Sequence, residues 1–199
     1  MDSSIEIKII KELPEHLYHQ TAEIVYEAFG RKINCIIRPK NKAILILERS
    51  INPELGFFAI SKGKVIGFLG IHYLDNEFLR MNFSNIKKEF NFLKSFFIWF
   101  LFRIDSPNLK KEEIRINYLA VEKSIRGNGV GTKLTKIFLD YAKKQGFKTA
   151  RLEVVDTNPR AKKLYEKIGF SVKKIKKYYF LTRRAGFSEE AIMEIKLQN

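Results

Sequence analysis

Between Leu119 and Thr132 the chain reads LAVEKSIRGNGVGT, which joins an apolar strand end to a long helix through a turn containing Gly127, Gly129 and Gly131. Few architectures accept such a junction. Alternating glycines leave the backbone N–H groups uncovered by side chains. After them Val130, Leu134, Ile137, Phe138, Tyr141 and Ala142 recur on one helical face, so the glycines sit at a helix N-terminus. Unpaired amides and the positive end of the helix dipole together favour an anion such as a phosphate or pyrophosphate. No Lys-Ser/Thr pair follows the glycines, and no full GxGxxG follows an early strand. Both absences count against nucleotide hydrolysis and hydride transfer.

At 199 residues the sequence predicts one domain, 1–199, with enough chain to bury a core. Its 37 Lys plus Arg against 22 Asp plus Glu give a net charge of +15. That suits an anionic ligand, an acidic substrate or a nucleic-acid partner, and equally a lysine-rich solvated surface. The single cysteine, Cys35, excludes an internal disulfide and a cysteine-based zinc site, so a cytoplasmic location and a structural role for Cys35 are expected. His16, His19 and His72 are dispersed and lack ligand spacing, so no metal is expected. The first residues lack the basic and apolar pattern of a secretory signal. The longest apolar run, Phe96 to Phe102, is far shorter than the roughly 20 residues of a membrane span, so no transmembrane segment is expected.

Along the chain, Ile5, Ile7 and Ile9 alternate with Glu6 and Lys8 as a half-buried strand would. Pro14 opens a helix with Leu17, Thr21, Ile24, Val25, Ala28 and Phe29 inward and Gly30 as its stop. A second helix is expected over 41–49, although the run Ala43 to Leu47 also reads as a buried strand. Gly56–Ile60 and Val65–Leu74 read as a hairpin, with Gly67 and Gly70 marking bulges or close backbone approaches. Residues 75–111 interrupt this pattern with an intensely aromatic stretch, EFNFLKSFFIWFLFRI, and read as a helical insertion. Phe90, Leu93, Phe97, Phe100 and Leu101 share one face, but the opposite face is nearly as apolar, so such a helix has to be covered. Packing on the core, a homodimer contact, a hydrophobic substrate wall and a membrane surface are all open to it. Further on come a strand over Thr149–Val155, a helix capped by Asn158-Pro159 and ended by Gly169, and an antiparallel pair over 171–181 and 191–197.

From about Leu119 to Phe180 the sequence resembles the GNAT acyltransferase superfamily, whose pyrophosphate signature, Arg/Gln-x-x-Gly-x-Gly/Ala, is matched by Arg126-Gly127-Asn128-Gly129-Val130-Gly131. LEVVDTNPRAKKLYEKIGF, Leu152 to Phe170, is similar to the family's second half, most of all in the branch that acetylates the N-terminal alanine of a ribosomal protein. The resemblance implies an α/β (α+β) fold with a mixed, mostly antiparallel sheet flanked by helices. It also implies acetyl-coenzyme A as co-substrate and a primary amine as acceptor, either a protein N-terminus or a small amine such as a polyamine, aminoglycoside or amino acid.

On that resemblance, the amides of Gly127, Asn128, Gly129, Val130, Gly131 and Thr132 would hold the pyrophosphate, with Arg126 leading the motif. Leu119, Ala120 and Val121 would pair with the pantetheine as with another strand, beside a gap between splayed strands, and Asn158 would contact the same arm. Direct attack on a thioester needs a neutral amine, whose ammonium form has a pKa of roughly 10, so a base is required. Glu153 is the expected base and Tyr165 the expected general acid, with Glu112 and Glu113 as alternative bases. Outside this class, the run Lys173 to Lys177 with Tyr178 and Tyr179 would suit a non-catalytic module on RNA or the ribosome, or a lysine-protected strand edge.

Overall fold

A computed structural model describes residues 6–104, 109–178 and 186–197. Its eight strands are β1 (Lys8–Ile10), β2 (Gly56–Ser61), β3 (Lys64–Tyr73), β4 (Asn76–Glu77), β5 (Glu113–Val121), β6 (Thr149–Val155), β7 (Ser171–Lys177) and β8 (Glu189–Lys196). They form one sheet in the order β1-β2-β3-β5-β6-β8-β7, with β4 added to β3. Among these pairings β5 with β6 is parallel and the others are antiparallel. The helices are α1 (Tyr18–Asn34), α2 (Lys40–Ser50), α3 (Phe83–Lys87), α4 (Phe92–Ile104), α5 (Val130–Lys144) and α6 (Pro159–Ile168).

Side chains alternate across the sheet, so each face carries its own helices. On one face Phe58 and Phe68 pack on Phe78, and Phe29 of α1 meets Tyr118 edge to face at 5.2 Å. On the other, Phe57 meets Tyr141 of α5 at 5.4 Å. Cover on both sides explains why β3 is buried from Val65 to His72 instead of alternating with solvent. The edge strand β7 is mostly exposed and lysine-rich, which protects it from pairing with another chain.

Gly67 and Gly70 are close approaches, as expected. A Cβ at Gly67 would lie 3.0 Å from the Ala120 carbonyl, and one at Gly70 would lie 2.4 Å from the Phe78 ring. The register of β3 on β5 also shifts at Gly70/Ile71, where Tyr118 and then Ile116 are the partners, so Asn117 is the extra residue of a β-bulge.

Several expectations require correction. Gly30 does not end α1, which runs on to Asn34 with Gly30 buried inside it, because Ile33 and Ile37 extend the apolar face. Cys35 is exposed and not part of the core; its thiol donates to the Arg31 carbonyl at 3.2 Å. The first strand is limited to Lys8–Ile10, and Ile5 lies outside the described residues. So do residues 179–185, which hold the end of the strand expected over 171–181 and the start of the connection that follows it. The insertion holds β4, α3 and α4, but α4 is covered on one side only. It buries Ser95 and Ile98 and leaves Phe92, Leu93, Phe96, Phe97 and Phe100 exposed.

Candidate active site

The parallel ladder between β5 and β6 is short. It runs from Glu113 opposite Thr149 to Ile116 opposite Leu152, and from Asn117 and Glu153 onward the two strands part. Two features drive the separation. The bulge at Asn117 kinks β5 away, and β5 is held on its other side by β3 up to Val121, whereas β6 is held by β8 up to Val155. Parted strands leave backbone N–H and C=O groups facing a gap, a ready edge for an extended ligand. The gap belongs to a cleft of about 710 Å³, which runs from Leu119, Arg126, Asn158 and Leu164 on one side to Phe29, Glu77 and Phe102 on the other.

The glycine turn stands at the first end. Gly129 is the N-cap of α5 in the left-handed conformation at φ 77°, and Gly127 has φ 96°. A Cβ at either would meet nothing within 4 Å, so both face open space. The first intrahelical bond is Lys133 N–H to the Gly129 carbonyl, which leaves the amides of Val130, Gly131 and Thr132 at the open helix start. Arg126 donates from Nε to the Val121 carbonyl at 2.9 Å and so ties the turn to the strand end. Leu119, Ala120 and Val121 border the gap, and Gly131 packs toward Leu119, Val121 and Leu164. Asn158 caps α6 by accepting from Ala161 N–H at 3.2 Å, which leaves its amide nitrogen free of that role at the cleft wall. Beyond Thr132, Lys136, Arg160 and Lys163 line a basic groove between α5 and α6.

A polar row crosses the sheet at the other end. His72, Arg115 and Arg151 are paired neighbours on β3, β5 and β6, and Glu77 is paired with His72. Glu153, two residues beyond Arg151, reaches both arginines. One of its oxygens accepts from Arg115 Nη2 at 2.9 Å and the other from Arg151 Nη2 at 3.2 Å, with the Glu153 side chain 8% exposed. Arg115 Nη2 also donates to Asn117 Oδ1 at 3.0 Å, and Asn117 Nδ2 donates to Glu77 Oε1 at 3.2 Å. Among the described residues Arg115 Nε and Nη1 have no partner, buried donors that a bound molecule or solvent has to satisfy. His72 donates from Nε2 to the Leu74 carbonyl at 3.0 Å. Burial holds its pKa below the usual histidine value; Glu77 opposes this and Arg115 adds to it.

Tyr165 lies in the cleft wall on α6, 6% exposed, with its ring against Phe170. Burial raises its phenol far above the ordinary tyrosine value, so it stays protonated at neutral pH. The structure therefore brings Glu153, Tyr165, Asn158 and the glycine turn around one cleft. Glu112 and Glu113 stand apart from it, at the opposite end of β5, where Glu112 pairs with Lys148 at 2.5 Å and Glu113 accepts from Lys110 N–H. Sequence reasoning missed Glu77, Arg115 and Asn117. Arg115 and Asn117 do carry a signal, since they are the polar positions that alternate with Ile114 and Ile116. Glu77 carries none, because its position depends on a two-residue strand that folds back on the end of β3 and is too short to show a pattern.

Among the described residues no group of three or more His, Cys, Asp and Glu is placed to hold a metal, and no helix is long and apolar enough to cross a membrane. The profile of the acetyltransferase (GNAT) family matches residues 19–170. N-alpha-acetyltransferase 30 of Schizosaccharomyces pombe is 40% identical over 65 residues, which is 32% of this chain and 43% of that protein. The chain spans 27% and 52% of the length of two further curated N-acetyltransferases that it matches. In fold it is similar to Ard1 from Thermoplasma volcanium, with a TM-score of 0.62 at 21% identity, over 97% of this chain and 99% of that one. The ribosomal-protein-S18-alanine N-acetyltransferase from Escherichia coli gives 0.59 at 18% identity, over 98% and 96%. With its mostly antiparallel sheet, its parted parallel strands and a profile match across most of its length, the chain belongs to the acetyltransferase (GNAT) family.

Proposed function

We propose that this enzyme transfers acetyl from acetyl-coenzyme A to a primary amine by direct attack, with a protein N-terminus as acceptor. One observation carries the reading: β5 parts from β6 directly beside the open N-terminus of α5, so a strand-like ligand in the gap reaches a phosphate cradle at one end. The pantetheine arm would take strand positions along Leu119, Ala120 and Val121, touching Asn158. Its pyrophosphate would lie on the amides from Gly127 to Thr132, with Lys136, Arg160 and Lys163 as further cations for the anionic nucleotide. Backbone groups at the Asn117 bulge sit where a thioester carbonyl needs a donor.

In the reaction the amine nitrogen forms a C–N bond to the acetyl carbon, the C–S bond breaks, and the amine proton leaves to a base. Two cleft carboxylates compete for it. Glu153 has both oxygens on arginines and must first give up one of them. Among the described residues Glu77 accepts one hydrogen bond, from the neutral amide of Asn117 beside the bulge, and is the better placed proton acceptor. Glu153 then holds Arg115, which in turn orients Asn117. Tyr165 donates to the departing sulfur. A thiol with a pKa of roughly 8.5 is a better acid than this buried phenol, so Tyr165 acts as a hydrogen-bond donor and not as a full proton source.

Two observations support an ammonium-bearing acceptor: the carboxylates Glu27, Glu77 and Glu190 line the open side of the cleft, and the S. pombe relative is named an N-alpha-acetyltransferase. Met81 and Phe102, from the insertion, wall the same side and favour a small amine as the second reading. Thiol release from acetyl-coenzyme A, measured against peptides differing at the first residue and against polyamines, aminoglycosides and amino acids, decides between them. A peptide substrate is expected. Turnover with small amines alone would select the second reading, and an unchanged melting curve at saturating acetyl-coenzyme A would reject both.

A further inference from the structure

We propose that α4 seats this protein on an anionic lipid bilayer, lying in the interface with its aromatic face among the headgroups and upper acyl chains. The inference goes beyond acetyl transfer and does not depend on it. Leu93, Phe96, Phe97 and Phe100 fall at the spacing i, i+3, i+4 and i+7, so they form one stripe, and it points away from the protein. Leu93 is 79% exposed and Phe97 59%. The opposite face does the packing, through Ser95 and Ile98 with the half-buried Phe102. At 13 residues the helix is about 20 Å long, too short to span a bilayer and long enough to lie in its surface.

Charge identifies the occupant. No Asp or Glu occurs from Phe90 to Ile104. On the helical wheel Lys94 flanks one side of the stripe and Arg103 the other, the positions from which long cationic side chains reach phosphate headgroups while their stems lie along apolar surface. Lys87 and Lys88, exposed at the end of α3, extend the basic margin. The nearby Glu89 is already held by Arg49 at 2.7 Å. A second copy docked stripe to stripe would bring two such margins together with no carboxylate from α4 between them, and the net charge of +15 would add to the repulsion. An anionic bilayer accepts both the aromatic stripe and its cations. Because Phe102 lines the cleft from the buried side of the same helix, seating α4 would bring the open side of the cleft close to the membrane surface.

Flotation of the full chain with vesicles of phosphatidylcholine, alone or with about one third phosphatidylserine, tests this at low and high salt. Trp99, the single tryptophan, reports insertion through quenching by brominated acyl chains. Binding to the phosphatidylserine vesicles is expected, with quenching of Trp99 and weakening by salt. Leu93→Ser with Phe97→Ser should cut partitioning at least tenfold without lowering the melting temperature, because both side chains are exposed. Lys94→Glu, an exposed change that leaves the stripe intact, should reduce binding about fivefold or more. Three results would overturn the proposal: no binding of the wild type to phosphatidylserine vesicles at low salt, binding unaffected by these substitutions, or a solution dimer that the serine variant dissociates.

Discussion

A carboxylate with both oxygens on guanidinium groups is suited to holding strands in register, and Glu153 is in that position, bonded to Arg115 across the sheet and to Arg151 on its own strand. Removing its charge leaves two arginines largely buried without their anion, so Glu153→Gln should lower stability by about 3 to 5 kcal/mol in chemical denaturation. In Glu77→Gln the amide oxygen still accepts from Asn117 Nδ2 and only the charge and basicity are lost, so its effect should fall on rate. At neutral pH kcat/KM should drop by about a hundredfold or more, and the deficit should shrink as pH rises past the acceptor's own pKa, about 8 for a protein N-terminus and about 10.4 for a lysine-like amine. A rate deficit of equal size at every pH would exclude Glu77 as the base, and the pH at which it closes identifies the acceptor class. For Tyr165→Phe the ring stays buried against Phe170 and only the hydroxyl is lost. Turnover should fall about tenfold with the melting temperature nearly unchanged, since a thiolate leaves with little help.

Among elements, the start of α5 is the most sensitive to a single methyl group. At Gly129 a Cβ would strike nothing within 4 Å, so the cost of Gly129→Ala lies in the left-handed backbone, about 1 to 2 kcal/mol, and in the methyl placed where the anion should lie. The variant should melt a few degrees lower and lose the acetyl-coenzyme A stabilisation of the wild type; a full ligand shift would remove the turn from the binding site. The packing of α1 on α2 responds to pH through His19, whose ring bonds Glu48 at 2.6 Å, and that hydrogen bond raises its pKa above the usual 6.5. The folded state holds this proton more tightly than the unfolded chain. The contribution is therefore complete below pH 6.5 and is lost as pH rises through the folded value. Comparing the wild type with Glu48→Gln at pH 5.5 and 8.5 should show a difference only at the lower pH, within the ~1 kcal/mol of an exposed pair. Elements such as α5, α6 and the β2–β3 hairpin were legible because their apolar periods, caps and turn glycines act locally. The end of α1 was not, since Gly30 is a stop signal by local rules and is overridden by tertiary burial. The exposed face of α4 was equally hidden, because a helix that is apolar all round does not say which side faces the protein.

At the scale of the whole molecule the sheet is two blocks, β1-β2-β3-β5 with β4, and β6-β8-β7, joined through the short ladder from Glu113 to Ile116. Local signals mark the strands of both blocks and the glycine turn, but the parting between them is a property of register. The Asn117 bulge and the Glu77–Asn117–Arg115–Glu153 connection appear only when residues 40 or so apart are brought together. A junction of four paired residues is a weak point, since an opening there exposes little apolar surface compared with global unfolding. Acetyl-coenzyme A lying between β5 and β6 would supply hydrogen bonds to β5 at the place where β6 withdraws, and so should raise the free energy of that opening by mass action, about 2.7 kcal/mol at a hundredfold excess over Kd. Native-state hydrogen exchange tests this directly. Without ligand, the cleft-facing amides of Asn117 to Val121 should exchange much faster than those of the same strand bonded to β3. With acetyl-coenzyme A they should slow, and the amides of Glu113 to Ile116 should slow with them, because closing the gap stabilises the ladder below it. Protection confined to residues 127–132, with no change along β5, would mean that the pyrophosphate cradle binds alone and that the parted strands are not the pantetheine site.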